Sequence, residues 1–234
     1  MKNWATAGLL LWPLAAFAEV TDSRLLEPTR DYGHGAVANG EYSMLEIDTD
    51  QRSFQFLYVN AVFEDTAPRL ADLDGDGNPE VVTVLSSFDT GASLAIFGET
   101  DSGEVLPRLI LDVVGQRFRW IAIAGIADFD HDGRVEIAYV DRPHLAQILR
   151  LVEVRGEGNT WSVMPDGTIY GLTNHHLGSA EIEGGLRQCP EPQLILAGVD
   201  WSRLYRVGYD GEAYAVTDIG AYTPEAMAAA LECE

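Results

Sequence analysis

The chain has 234 residues with 37 acidic and 15 basic side chains, and its formal net charge of −22 excludes polyanionic partners such as nucleic acid. Hydrophobic residues make up 47% and charged residues 22% of the sequence, which is typical of a folded globular protein rather than of a disordered acidic chain. We therefore expect a folded protein whose acidic surface attracts divalent cations.

The N-terminus has the pattern of a secretory signal peptide over residues 1–18. Lys2 gives a positive start, residues 4–14 are apolar but too short to span a membrane, and residues 16–18 read Ala-Phe-Ala. We expect cleavage between Ala18 and Glu19, a periplasmic or secreted product and no membrane insertion. The alternative is an uncleaved N-terminal anchor. In the cleaved product, residues 19–234 are expected to form a single domain.

Residues 19–64 are too short for a whole structural repeat and are predicted to form a partial one, with strands at 43–47 and 54–59. Residues 70–84 read LADLDGDGNPEVVTV, and residues 126–140 read IADFDHDGRVEIAYV. Each segment lies in a unit of about four predicted strands, which is typical of β-propeller blades. Three such repeats are predicted, near 65–115, 118–166 and 178–220. They predict an all-β fold, namely a small β-propeller of about four blades. The ring would be closed by pairing N-terminal strands with a C-terminal one. An open arc is the alternative.

The first two repeats each carry a loop of alternating acids between two predicted strands. Gly77 and Gly133 allow the left-handed turn that folds such a loop around an ion. Hard oxygen donors favour calcium over zinc or copper, so we expect two calcium ions. An EF-hand is excluded because its twelfth position, which requires Glu, is Thr83 or Tyr139. The predicted ligands are the carboxylates of Asp72, Asp74, Asp76, Glu80, Asp128, Asp130, Asp132 and Glu136, and the backbone carbonyls of Asn78 and Arg134.

The loop sequences DLDGDGNPE and DFDHDGRVE resemble the calcium loops of the FG-GAP and VCBS repeat family, whose best-known relatives form the propeller of integrin α chains. The whole mature chain, residues 19–234, resembles small exported repeat proteins of proteobacteria. The resemblance implies one calcium ion per acidic hairpin, held by the same four carboxylates. The chain departs from the family in using Glu80 and Glu136 where Asp is common and His131 where Gly is common. The third repeat has lost its acidic loop.

The C-terminal region contains a predicted helix and one of the two cysteines. Thr223 and Pro224 have the pattern of an N-cap and a first turn, and the helix is expected to cover a blade edge or rim. Cys189 and Cys233 allow one intramolecular disulfide, which an oxidising compartment favours. Free thiols are the alternative.

Three functions remain open at this stage. The first is an exported calcium-binding module that recognises a protein or glycan partner, with calcium in a structural role. The second is a small periplasmic hydrolase or lyase that uses His34, His144 and His175 at the propeller mouth, where the three could also bind a transition metal. The third is a purely structural scaffold. No nucleophile motif such as G-x-S-x-G occurs in the sequence, which favours a non-enzymatic role.

Overall fold

The computed structural model describes residues 18–233, which form strands and one short helix. The N-terminal segment contains β1 (Val20–Pro28), β2 (Glu41–Thr49), β3 (Ser53–Leu57) and β4 (Ala61–Glu64). The first repeat contains β5 (Arg69–Ala71), β6 (Glu80–Ser87), β7 (Gly91–Glu99) and β8 (Val105–Asp112). The second contains β9 (Ile121–Ala127), β10 (Glu136–Asp141), β11 (Ile148–Glu157) and β12 (Thr160–Tyr170). The third contains β13 (Leu172–Thr173), β14 (Gly185–Gln188), β15 (Pro192–Gly198), β16 (Arg203–Tyr209), β17 (Tyr214–Ala221) and the helix α1 (Pro224–Leu231).

These strands form three antiparallel sheets. The first has eight strands in the order β1-β2-β4-β6-β7-β8, with β3 also paired to β2 and β5 to β6. The second has four strands in the order β12-β11-β10-β9, and the third has five in the order β13-β15-β16-β17 with β14 also paired to β15. None of the three sheets closes on itself.

The sheets pack face to face because their central strands are apolar on both faces. Strand β6 reads EVVTVLSS and is buried over almost its whole length. Since successive side chains of a strand point to opposite faces, Val82 packs with Ile123 of the second sheet, whereas Val81 packs with Leu45 of the N-terminal segment. The N-terminal strands therefore cover the outer face of the first repeat.

The third repeat is covered on both faces in the same way. Leu194 of β15 packs with Leu149 of the second sheet, and its neighbour Ile195 points to the opposite face and packs with Met227 of α1. The predicted helix is confirmed, and Thr223 caps it by accepting a hydrogen bond from the backbone N–H of Ala226 at 3.0 Å. The helix packs on the outer face of the third sheet over β15 and over β14, which pairs only with β15 and is an edge strand.

The N-terminal segment and the third repeat are in contact through loops and not through paired strands. The predicted pairing between N-terminal and C-terminal strands is wrong: β4 pairs with both β2 and β6, and β17 pairs with β16. The N-terminal segment contacts the third repeat through backbone hydrogen bonds from Ala38 to Ser179 and from Gly178 to Ala36, each 2.9 Å. The four-bladed closed ring stays a prediction.

The predicted disulfide is confirmed. Cys189 and Cys233 are bonded with their Cα atoms 5.4 Å apart, which ties the end of the chain to the segment before β15. Among residues 18–233, no helix is long and apolar enough to cross a membrane. The predicted signal peptide falls on residues 1–18 and lies, apart from Ala18, outside the described residues.

Candidate functional site

The two acidic loops lie at the same end of their sheets. The first connects β5 to β6 and the second connects β9 to β10, and in each repeat a Glu begins the strand that follows the loop. Those two residues, Glu80 and Glu136, are 4% and 1% exposed, so each carboxylate enters its loop from the buried side. Three carboxylates in each loop have oxygens within 4.8 Å of one another, namely Asp72, Asp74 and Glu80 in the first and Asp128, Asp130 and Glu136 in the second.

Backbone hydrogen bonds hold the first loop closed around these carboxylates. Asp72 accepts from the N–H of Gly75 through Oδ1 at 2.8 Å and from that of Gly77 through Oδ2 at 3.1 Å. Glu80 accepts from the N–H of Leu73 at 2.9 Å. Gly77 has φ of +90°, the left-handed conformation that the sequence predicts for it. The backbone therefore fixes the positions of these acids. Their carboxylate oxygens can still accept further bonds within the cluster.

The second loop has the same geometry with one difference. Asp128 accepts from Gly133 at 3.0 Å, and Glu136 accepts from the N–H of Phe129 at 2.7 Å. His131 occupies the position of Gly75, with φ of +62°, and its N–H makes no matching bond to Asp128. Oδ1 of Asp128 is buried and has no hydrogen-bond partner. A buried carboxylate oxygen without a donor is costly, so this atom requires a cation or a water.

The remaining predicted ligands are not part of these clusters. Asp76 accepts a hydrogen bond from the N–H of Asn78 at 2.8 Å, and Asp132 accepts from the N–H of Arg134 at 2.8 Å. Asp132 also pairs with the guanidinium of Arg134 at 2.7 Å. The side chain of Asn78 turns away from the loop, to Glu99 and to the backbone N–H of Val20. The structure thus groups six of the eight predicted carboxylates, and calcium itself stays a prediction.

Burial, and to a lesser extent the neighbouring acids, disfavours the charged form of the carboxylates in the clusters. Burial, together with the charges of the neighbouring aspartates, raises the pKa of Glu80 to about 8, and the same causes raise that of Glu136 to about 8. Burial and neighbouring aspartates also raise the pKa values of Asp74 and Asp130. A divalent cation would reverse these shifts, because it stabilises the ionised carboxylates.

The surroundings of the two loops differ in charge. Arg108 of β8 opposes the rise in the pKa of Asp74. In the second repeat Asp166 of β12 adds to the rise in the pKa of Asp130, and Asp166 accepts a hydrogen bond from Tyr209 of the third repeat at 2.8 Å. Sequence patterns did not single out Asp166 or Arg108, because they lie about thirty residues beyond their loops.

The candidate histidines lie at the opposite end of the sheets, beyond the last residues of β6 and β10. Nε2 of His144 lies 2.9 Å from Nδ1 of His175, so the structure brings these two predicted residues into direct contact. His34 forms a separate pair, with its Nδ1 2.7 Å from Oε1 of Glu64. His34 and His144 nevertheless line one small cavity of about 20 Å³.

Two buried residues that the sequence analysis did not assign to a site organise this histidine end. Glu64 is fully buried, and besides His34 it accepts a hydrogen bond from the hydroxyl of Ser86 at 2.6 Å. Burial raises its pKa, and the hydrogen bonds from His34 and Ser86 oppose that rise. Trp120 is 2% exposed, stacks on the ring of His144 and donates its indole N–H to the carbonyl of Glu64 at 2.7 Å. Burial lowers the pKa of His144 to about 4, so its ring is neutral at neutral pH.

Comparisons with protein-family models, curated proteins and solved structures gave no match to this chain. The resemblance of the two acidic loops to FG-GAP and VCBS repeats therefore stays a prediction based on their sequence.

Proposed function

We propose that the chain is an exported, calcium-stabilised β-repeat protein that recognises a protein partner through the end of its sheets opposite to the acidic loops. In this proposal the ions have a structural role, each in the hairpin of one repeat. The finer architecture we propose is a propeller-like arc of repeats, covered at one end by the N-terminal strands and at the other by α1. The signal peptide that the sequence predicts over residues 1–18 supports the proposal of export.

The buried Oδ1 of Asp128 without a hydrogen-bond partner carries the calcium proposal. It belongs to a loop whose carboxylate grouping is duplicated in the first repeat with the same oxygen chemistry. Two carboxylates at about 4 Å repel by roughly 4 kcal/mol at an effective dielectric constant of 20, so a neutralising ion would stabilise a cluster of three in which the Glu is buried. Donor sets made only of oxygen suit calcium better than a transition metal.

Calcium binding is tested by isothermal titration calorimetry on the chelator-treated, untagged chain. We expect two calcium ions per chain. Glu80→Gln and Glu136→Gln should each remove one ion, because each Glu is the buried ligand of one loop. Glu104→Gln is the matched control, since Glu104 lies in the β7–β8 turn and pairs with Arg52. A wild-type chain that takes up no calcium would contradict the proposal.

The surface proposed for recognition is the group of exposed apolar side chains at the histidine end. Leu145, Tyr170, Leu177 and Val199 are 64%, 75%, 69% and 50% exposed. Three of the segments that carry them are joined, because the Gln147 side chain donates a hydrogen bond to the carbonyl of Val199 at 3.2 Å and the Gln147 carbonyl accepts one from the N–H of Gly171 at 2.9 Å. Exposed apolar side chains grouped on one face are typical of protein interaction sites. Their mainly aliphatic character favours a protein over a glycan, since sugars stack on flat aromatic rings.

Recognition is tested by comparing the proteins that the wild-type chain and the Leu177→Ser variant capture from cell-envelope extracts in calcium-containing buffer. We expect the variant to lose a partner that the wild type retains. Leu106→Ser is the control, because Leu106 is 49% exposed but lies in β8 near the acidic-loop end. Binding to an array of glycans, unaffected by Leu177→Ser, would favour the glycan alternative, and the absence of any partner would favour a scaffold.

The enzyme is the second candidate, and the contact between His144 and His175 is the observation that favours it. The cavity beside these rings has a volume of about 20 Å³, which admits a water molecule but no substrate. The hydroxyl of Ser86 donates a hydrogen bond to Glu64, the partner of His34, and Ser86 is buried. The geometry at this end therefore fits ligand binding better than covalent catalysis.

A further inference from the structure

The cleavage point that the sequence predicts for the signal peptide lies beside the first acidic loop, where several carboxylates meet. Glu19 precedes β1, and its backbone N–H donates to Oδ1 of Asp50, in the β2–β3 turn, at 3.1 Å. The N–H of Ala18 donates to Oε1 of Glu99, the last residue of β7, at 2.6 Å. Two successive backbone nitrogens at the predicted cut therefore face carboxylates from two different parts of the sheet.

Further hydrogen bonds hold the chain that follows the cut in place. The carbonyl of Glu19 accepts from the N–H of Asp50 at 3.0 Å. Val20 donates its N–H to Oδ1 of Asn78, in the first acidic loop, at 2.9 Å. Nδ2 of Asn78 also donates to Oε2 of Glu99 at 2.8 Å. None of these bonds involves the residue that is cut off, so they keep the nitrogen of Glu19 near both carboxylates after cleavage.

The carboxylates in this region have no cationic partner. Among residues 18–233, neither Asp50 nor Glu99 forms an ion pair with an arginine or a histidine. Arg52, which lies two residues after Asp50, pairs with Glu104. Burial and the negative charges of Asp76 and Asp50 raise the pKa of Glu99. A positive group placed here would be attracted by three carboxylates.

Cleavage of the signal peptide creates such a group. Hydrolysis of the Ala18–Glu19 peptide bond by a signal peptidase consumes one water, leaves a carboxylate on Ala18 and turns the nitrogen of Glu19 into an α-ammonium with three N–H donors. Ala18 is 1% exposed, so its removal opens space beside Glu99 and takes away the donor to Oε1 of Glu99. We propose that the α-ammonium of Glu19 pairs with both Asp50 and Glu99, so that processing supplies the cation that joins the start of β1 to the β2–β3 turn and to β7. This inference rests on the proposed export.

The α-ammonium is the one primary ammonium group of the processed chain. Lys2 is the single lysine of the sequence and belongs to the segment that is removed, so the basic side chains that remain are arginines and histidines. The charge can therefore be altered chemically at one atom. Acetylation converts it into a neutral amide, whereas reductive methylation leaves it positive. Because the backbone holds this group, its pairing orders no long side chain, which is the usual cost of a surface ion pair.

The experiment compares the melting temperatures of the free, acetylated and reductively methylated forms of the chain that begins at Glu19, in calcium-containing buffer. Intact mass confirms a single modification and excludes cyclisation of Glu19 to pyroglutamate. We expect acetylation to lower the melting temperature by about 2 °C or more, and methylation to leave it nearly unchanged. The pKa of the methylated amine, followed by NMR of its ¹³C-labelled methyl groups, should be lower in the variant Asp50→Asn/Glu99→Gln than in the wild type, because the carboxylates favour the charged form.

The matched control is Glu104→Gln, since Glu104 lies in the neighbouring β7–β8 turn and pairs with Arg52. An effect of acetylation that is lost in Asp50→Asn/Glu99→Gln and retained in the control supports the proposal. Equal melting temperatures of the free and acetylated wild type would overturn it, and so would an effect that is equally large in the double variant. Circular dichroism checks that each variant is folded.

Export is tested separately. The chain for the melting experiment is released from a fusion partner by a protease that leaves Glu19 first, so it is obtained whether or not cells process the protein. N-terminal sequencing of the protein recovered from the cell envelope should also give Glu19 as the first residue. A signal peptide that is retained there would contradict the proposed export, whereas equal melting temperatures would contradict the pairing alone.

Discussion

Gly211 of the third repeat lies directly against Asp130 of the second acidic loop: a Cβ atom at Gly211 would come within 2.9 Å of Oδ2 of Asp130. Gly211 has φ of +84°, in the turn between β16 and β17. The third repeat has no acidic loop of its own but forms part of the wall around the loop of the preceding repeat. The second carboxylate cluster therefore depends on the correct packing of the third sheet.

Gly211→Ala is expected to weaken calcium binding in the second loop and leave the first unaffected. The added methyl group displaces the Asp130 carboxylate, and the left-handed backbone adds a steric cost of about 1 kcal/mol. Gly220→Ala is the control, because Gly220 also has a positive φ, +130°, but a methyl group added there would meet no atom within 4 Å. Calorimetry should show one weakened site in the first variant and two normal sites in the control. Equal effects in both variants would contradict this role of Gly211.

Removal of calcium should lower the melting temperature, since an ion that binds only the folded chain adds about 2.7 kcal/mol of stability at a hundredfold excess over Kd. Asp74→Ala and Asp130→Ala should each reduce this stabilisation partly, because the two residues belong to separate clusters in different sheets. Differential scanning calorimetry with and without chelator measures the effect. Loss of both ions from either single substitution would show that the loops are coupled.

The central strands and the acidic loops were predictable because their signals are local. The strands predicted on either side of each acidic loop are present, as β5 and β6 in the first repeat and as β9 and β10 in the second, and Gly77 has the predicted left-handed conformation. Alternating acids followed by a strand of β-branched residues identify a hairpin independently of the rest of the sequence. The carboxylate clusters follow from the same local spacing.

The arrangement of the sheets was not predictable, since it depends on contacts between distant residues. Strand β1 is mostly polar and half-exposed, so its sequence has no clear strand pattern, and it forms by pairing with β2. The four residues of β4 pair with two different strands, which merges the N-terminal segment with the first repeat in one sheet. Glu64 lies at the end of this strand, and only the fold reveals that it meets His34.

The calcium-free chain should lose stability as the pH rises from about 4.5 to about 8. Glu80 and Glu136 have ordinary pKa values of 4.5 and pKa values of about 8 in the fold, so the folded state binds more protons than the unfolded state in this range. Their contribution is complete below pH 4.5 and is lost as the pH passes through 8. Urea unfolding in chelator across this range measures the slope.

Saturating calcium should remove that slope, because the bound ion holds both carboxylates ionised. The double variant Glu80→Gln/Glu136→Gln should also flatten it in chelator, since neither side chain then titrates. A slope that is unchanged by calcium and by the double substitution would show that other groups determine the pH dependence.

Reduction of the disulfide should lower the free energy of unfolding by about 3 to 4 kcal/mol, because opening a loop with a sequence separation of 44 residues increases the conformational entropy of the unfolded chain. The bond lies just beyond α1, whose Met227 packs on Ile195 of the third sheet, so its loss should also loosen the helix and expose that face. Urea unfolding of the Cys189→Ser/Cys233→Ser variant measures the first effect, and hydrogen exchange at α1 measures the second. Met227→Ala in the oxidised chain separates the two, because it weakens the packing of the helix while the covalent link stays closed. If the double serine variant unfolds at the same urea concentration as the wild type, the disulfide does not contribute to stability.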